Sequence, residues 1–146
     1  MDKLLAENRR ARFDYHILES FEAGLELLGQ EVRSVKTGKV NLAGTYAVIR
    51  GGEAWLLNAD IPAYQPKNAA EAYDPKRTRR LLMKKSEIAS LTGKLHEKGL
   101  VLVPLKAYAK RGIVKLELGL GRSKKAHDKR ESLKEKTVAR EMRRAR

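Results

Sequence analysis

There is no cysteine anywhere in the 146 residues. That excludes a disulfide framework, a thiolate zinc site and a cysteine nucleophile, and it fits a reducing compartment. Aromatic residues make up only 5%, too few for the Trp- and Phe-rich face that a membrane-surface helix sets opposite its basic side. No apolar run approaches the roughly 20 residues that span a bilayer, and the opening MDKLLAENRR lacks the apolar core of a secretory signal. The expectation is a cytoplasmic protein with no membrane partner. Acidic residues are scarce as well, with 18 Asp and Glu against 32 Lys and Arg, a net charge of +14. Self-repulsion of that size calls for an anionic partner, and nucleic acid is the leading class.

What is present is enough apolar residue, 42%, for one domain with a buried core. Charge divides the chain. From Gly121 to Arg146 there are 11 Lys or Arg against 4 Asp or Glu, a net +7 and half of the total. This stretch has little beyond Leu133, Val138 and Met142 to bury, so ordering it alone costs more entropy than burial returns. The expected organisation is a folded domain over residues 1–120 and a basic tail over 121–146, disordered when free. From about Glu131 the tail has good helix formers and neither Gly nor Pro, yet Lys136 and Arg140, and Arg140 and Arg144, repel one another at helical spacing. A helix is therefore expected only where phosphates remove that repulsion.

Upstream, the patterning is mainly β with helices interposed. In RFDYHIL, Phe13, Tyr15 and Ile17 alternate with Asp14 and His16 as in a half-buried strand. Leu25, Leu28, Val32 and Val35 recur at helical spacing around Gly29, with a stop near Gly38. TYAVIR and AWLLNADI flank Gly51-Gly52-Glu53, a hairpin signal. IPAYQPKNAAEAYDP holds three of the four prolines and reads as an unusually long loop. Ser86 is placed as the N-cap of a second helix carrying Ile88, Leu91 and Leu95 on one face and stopping at Gly99. LVLVPLKAY and GIVKLELGL close the domain as two strands; Val114, Leu116 and Leu118 face one way, while Lys115 and Glu117 face the surface. Short strands with helices between them make an OB-like small β-barrel the expected architecture.

Catalytic and metal signals are missing. His16, His96 and His127 lie far apart and none has the spacing of HExxH or of a zinc site. Gly119 and Gly121 before Arg122 lack the GKS or GKT ending of a phosphate loop and read as a flexible exit from the last strand. Asp14 with His16, and His127 with Asp128, have surface placement as their ordinary explanation. No cofactor, metal, small-molecule substrate or enzymatic activity is expected. Three basic runs remain: NRRAR at Asn8 to Arg12, KRTRR at Lys76 to Arg80, and the tail. Singly each is solubilising surface; together they form the footprint of a chain that tracks phosphates, with arginine able to chelate them through paired hydrogen bonds.

Five blocks then go beyond composition: NRRARFDY, FEAGLELLGQEVRSVKTGKVNL, DPKRTRRLL, LVPLKAY and SKKAHDKR. In this order they resemble the SsrA-binding protein family, SmpB, across nearly the whole chain from Asn8 to Arg130. The resemblance implies an OB-like barrel and a non-enzymatic partner of transfer-messenger RNA in trans-translation, the bacterial rescue of stalled ribosomes. It implies that the barrel holds the tRNA-like part of that RNA while the tail enters the decoding region and the empty message channel. Asn8, Glu22, Leu82 and Lys115 match family positions associated with RNA binding. Arg9, Lys124 and Lys125 join them as basic contacts, and His127, Asp128, Lys129 and Arg130 match the tail motif placed at the decoding centre.

These positions make uneven physical sense. Lys115 is an outward cation, and Asn8 offers both a donor and an acceptor to a base edge. Glu22 repels phosphate, so it either accepts from base amino groups, orients a neighbouring Arg, or is plain surface acid. Leu82 is either core or a platform for an unstacked base. The rival to the family reading is a general RNA-binding or ribosome-associated protein with a basic tail.

Overall fold

The computed structural model describes residues 2–65, 72–97 and 99–124. The tail positions Lys125, His127, Asp128, Lys129 and Arg130, and with them the expected free disorder and bound helix, lie outside the described residues. So does the middle of the proline-bearing loop.

The elements run β1 (Lys3–Glu7), α1 (Arg9–Asp14), β2 (Tyr15–Leu25), α2 (Gly29–Lys36), β3 (Tyr46–Arg50), β4 (Glu53–Leu57), β5 (Arg79–Leu82), α3 (Lys85–Lys94), β6 (Leu100–Lys110) and β7 (Ile113–Ser123). Strand order is β1-β6-β3-β4-β5-β2-β7, and β7 returns to pair with β6. Six strands therefore close on themselves, with β1 lying outside the ring on β6. Closure is thinnest between β3 and β6, which register only at Ala47 and Leu102. This is the mainly β, OB-like barrel that the patterning predicts.

Alternation fills the barrel. Ala23, Leu56, Leu81, Leu102, Leu116 and Leu118, from β2, β4, β5, β6 and β7, are all at most 1% exposed, while Lys115 and Glu117 lie on the outer side of β7. Both tight hairpins use positive φ at their two central residues: Gly51 and Gly52 at 59° and 73°, Arg111 and Gly112 at 52° and 79°. Such angles match the twist of the strands they join.

Four local expectations differ from what is observed. Phe13 and Asp14 belong to α1, not to a strand: Arg10 bonds Asp14 one turn on at 3.3 Å and lies over the Phe13 ring at 5.3 Å, and Ala11 is buried. A helix this short is invisible to a periodicity window. The N-cap of α3 is Lys84, not Ser86, with the Glu87 carboxylate accepting from the Lys84 N–H at 3.2 Å. Gly119 and Gly121 are sheet residues, because β7 continues to Ser123. They are packing glycines: a Cβ on Gly121 would sit 2.9 Å from that of Tyr15.

The fourth concerns KRTRR. On β5, Arg79 and Leu81 point inward and Arg80 and Leu82 outward. Arg79 is completely buried, and its donors are all engaged: Nε bonds Glu31 Oε2 at 2.8 Å, Nη1 bonds the Ala59 and Arg77 carbonyls at 2.8 and 3.1 Å, and Nη2 reaches Glu31 and the Pro75 carbonyl. Arg77 Nε reaches the same carboxylate at 3.1 Å. Outside, Arg80 binds Glu53 through two hydrogen bonds of 2.8 and 3.2 Å. Three of the run's cations are thus paired within the protein, Arg79 wholly buried and Arg77 and Arg80 still partly exposed, so the run is in good part structural.

Glu31, also fully buried, caps its own helix by accepting from the Leu28 N–H at 2.8 Å. Burial raises its pKa, but hydrogen bonds from Arg77, the Leu28 N–H and Arg79 outweigh that and bring it down to about 2. Because the folded pKa lies below the ordinary 4.5, the stabilisation is complete above that value and is lost as pH falls toward 2. Glu31→Gln is expected to cost about 3–5 kcal/mol, since it strands a buried guanidinium. It should also flatten the acid limb of stability, both measured by urea unfolding across pH.

Candidate nucleic-acid interface

One row of residues crosses five strands on the outside of the barrel. Leu4 on β1 pairs with Tyr108 on β6, Tyr108 with Lys115 on β7, Lys115 with Gly24 on β2, and Gly24 with Leu82 on β5. Leu4 and Leu82 are 56% and 47% exposed, which places Leu82 on the surface and not in the core. Gly24 has no side chain to separate its neighbours. A Cβ there would lie 3.2 Å from that of Leu82 and 3.7 Å from Lys115 Nζ. The missing atom lets an apolar platform and an ammonium close over β2.

Glu22 stands two residues along the same face, so β2 brings it to the row's edge. It is paired across the sheet with Glu117. Two carboxylates directly opposite repel unless compensated, and both are: Lys110 Nζ lies 3.4 Å from Glu22 Oε2, and Lys106 Nζ 3.4 Å from Glu117 Oε2. The Tyr108 hydroxyl donates to Glu22 Oε2 as well. That bond, with smaller help from Lys110 and Lys115 and against the effect of burial, holds the Glu22 carboxyl below its usual range. Burial and the Glu22 charge in turn push the Tyr108 phenol up.

The sheet therefore gathers Glu22, Leu82 and Lys115, which lie far apart in sequence. A cation, an apolar surface and a charged acceptor side by side suit a strand of unpaired nucleotides: phosphate to Lys115, a base face on Leu82, base amino groups to Glu22. The sequence reading missed Gly24, Lys106, Tyr108 and Lys110. Alternation along LVPLKAYAK does put Lys106, Tyr108 and Lys110 on one face, but only the strand register shows that this face adjoins Glu22.

The other candidates sit elsewhere. Lys124 follows β7 nine residues beyond Lys115, about 30 Å at the rise of an ideal strand, where its N–H bonds the Asp14 carbonyl at the end of α1. Arg9 is exposed at the start of α1. Asn8 is only 8% exposed. Its Nδ2 donates to the Leu42 carbonyl at 3.2 Å and to the Pro104 carbonyl at 2.9 Å, so both amide hydrogens are committed inside the protein. Pro104 stands beside a register shift in the β6–β7 pairing, and the Asn8 backbone N–H bonds the next carbonyl of β6, that of Leu105, at 2.8 Å. A cavity of about 550 Å³ opens between α1, β3, β6 and α3, with Asn8, Thr45, Tyr46 and Val103 in its wall, but Glu22, Leu82 and Lys115 are not part of it. Among the described residues no cluster of three His, Asp or Glu is placed to hold a metal ion, and no helix is long and apolar enough to cross a membrane.

The chain is similar to known proteins over nearly its whole length. A family model described as "SmpB protein" matches residues 5–146. The SsrA-binding protein of Thermosynechococcus vestitus is 55% identical over 143 residues, which cover 98% of this chain and 94% of the relative. That of Synechococcus elongatus is 54% identical, covering 98% and 93%, and that of a Nostoc species 52%, covering 98% and 92%. Among solved structures, a chain from "tmRNA-SmpB: a journey to the center of the bacterial ribosome" superposes with a TM-score of 0.69 at 50% identity, covering 83% of this chain and 85% of that one.

Asn8→Ala should leave the Leu42 and Pro104 carbonyls without a donor and cost about 1–3 kcal/mol in urea unfolding. Asn8→Asp, which keeps the shape but removes the donors, should cost at least as much.

Proposed function

The chain belongs to the SmpB protein family, and on that footing we propose that it binds transfer-messenger RNA (SsrA RNA) at its tRNA-like domain and delivers it to stalled ribosomes for trans-translation. It acts in the cytoplasm as a binding partner and not as a catalyst. The observation that carries the reading is the outer row from Leu4 to Leu82 with Glu22 at its edge. It offers shape and hydrogen-bonding groups where a merely basic module would offer charge alone. Lys115 neutralises a phosphate, Leu82 supports a base, and Arg9 and Lys124 extend the contact from around α1, with Lys125 following. The tail does a different job: His127 and Asp128 meet bases of ribosomal RNA in the decoding centre, Lys129 and Arg130 meet phosphates, and the rest enters the empty message channel as a helix.

Support for this division lies in the charge. Half of the net positive charge belongs to residues 121–146, whereas the row on the barrel mixes apolar, acidic and basic groups. Equilibrium binding to the tRNA-like domain, against an unrelated structured RNA, should show a preference that survives rising salt, because counterion release weakens both RNAs but shape and base contacts belong to one. Lys115→Ala should lower the slope of log affinity against log salt by about one. Equal binding of the two RNAs, falling together with salt, leaves only a general RNA-binding module.

A chain ending at Lys124, which keeps β7 whole, should retain that preference and lose ribosome rescue in a reconstituted translation assay. Loss of the preference itself would refute the division of labour between barrel and tail.

A further inference from the structure

Glu22 is a carboxylate on a face that the proposed function offers to a polyanion. It is 42% exposed on its side chain, so nothing about packing requires an acid there. What distinguishes it is how firmly it is held. Lys110 and the Tyr108 hydroxyl both bond Oε2, and among the described residues none bonds Oε1, the oxygen a ligand would face. Tyr108 is itself fixed: its ring lies beneath Lys106 Nζ, 5.7 Å from the ring centre, and the residue is only 8% exposed although it shares the outer face with Lys106 and Lys110.

We infer that Tyr108 is a positioning residue for RNA recognition: by donating to Oε2 it holds the Glu22 carboxylate so that Oε1 accepts from the exocyclic amino group of an unpaired nucleobase. This rests on the proposed RNA-binding role of the same face. A freely rotating carboxylate would lose side-chain entropy on binding. A pinned, ionised one presents a fixed acceptor, and acceptors of that kind discriminate because a base without the amino group leaves the site unpaired. The charged groups facing Glu22 are Lys106, Tyr108 and Lys110 from β6, and Lys115 and Glu117 from β7. The basic members favour the ionised carboxylate and Glu117 opposes it, and Glu117 is itself answered by Lys106.

The test uses the full-length chain carrying Tyr108→Phe, which keeps the ring in place. Two readouts are taken: the carboxyl carbon NMR titration of Glu22, and affinity for the tRNA-like domain and an unrelated structured RNA from neutral to acid pH. In the unaltered chain Glu22 should titrate below 4.5. In Tyr108→Phe the midpoint should rise, and the pH at which preference for the tRNA-like domain fades should rise by the same interval. Preference at neutral pH should fall several-fold while the salt slope is unchanged, because no phosphate contact has been removed. Lys110→Gln, which leaves the phenol, should move the midpoint less. Glu22→Gln should abolish the acid limb in either background. An unmoved midpoint in Tyr108→Phe overturns the inference, and so does an equal loss of both RNAs with a shallower salt slope. If the unaltered chain shows no preference between the RNAs, the proposed function fails, and the Glu22 midpoint still decides whether Tyr108 holds the carboxylate.

Discussion

Glu31 and Arg79 form a charge pair with no contact with water, and much of the barrel's outer organisation depends on it. One carboxylate caps α2, accepts from Arg77, and engages the guanidinium that also binds the carbonyls of Ala59 and Pro75. Both ends of the long loop between β4 and β5 are therefore tied to one point. Ser34 adds a second tie from α2 to the Pro62 carbonyl at 2.6 Å, and the Asn41–Asp60 bridge a third. Such a pair is weak evidence for extra stability, because desolvation offsets most of its attraction. Its value is in geometry: a buried Arg with every donor engaged tolerates one arrangement of the segments around it. β5 is short, and holding Arg79 fixes which of its faces is turned out, and so where Leu82 sits.

From that constraint the outer face follows. β2 and β7 are long enough to carry several consecutive cross-strand pairs, and β6 closes the ring beside them. Residues with no local relation become neighbours because the register puts them in one row. Gly24 at its centre is the economical element, since the absence of an atom brings Leu82 and Lys115 together. The acids on this face are not errors of charge. Each is answered by a lysine on β6, and one is additionally gripped by a phenol.

How much of this was legible in the sequence depends on the range of the interaction. Alternation in GIVKLELGL placed Lys115 outward correctly, and Gly51-Gly52 marked a hairpin, because both are local consequences of pleat and turn geometry. Helix α2 was readable only in part: Val32 and Val35 lie on it and Leu28 is its N-cap, but Leu25, counted on the same face, ends β2. Helix α1 was not, since six residues make less than two turns and its stabilising contacts, Arg10 with Asp14 and Phe13, look like ordinary polar pattern. Arg79 and Asn8 were hidden for another reason. Each is a polar residue turned inward by a partner distant in the chain, Glu31 in one case and the Pro104 carbonyl in the other, and nothing adjacent announces it. Glu22 and Leu82 came from the family resemblance, and only the strand register shows that they and Lys115 share a surface.

The sequestered arginines also reshape the electric field around the molecule. Arg77 and Arg79 share the Glu31 carboxylate and Arg80 stands between Glu53 and Glu26, so these three cations add little to the far field. Long-range attraction by the remaining net charge, at a rate sensitive to ionic strength, is thereby separated from selection. On the proposed reading, selection falls to the near-balanced face, whose contacts act only at hydrogen-bonding distance and so would govern residence time. An RNA that merely answers the net charge would then leave quickly, and one that also fits the row would stay.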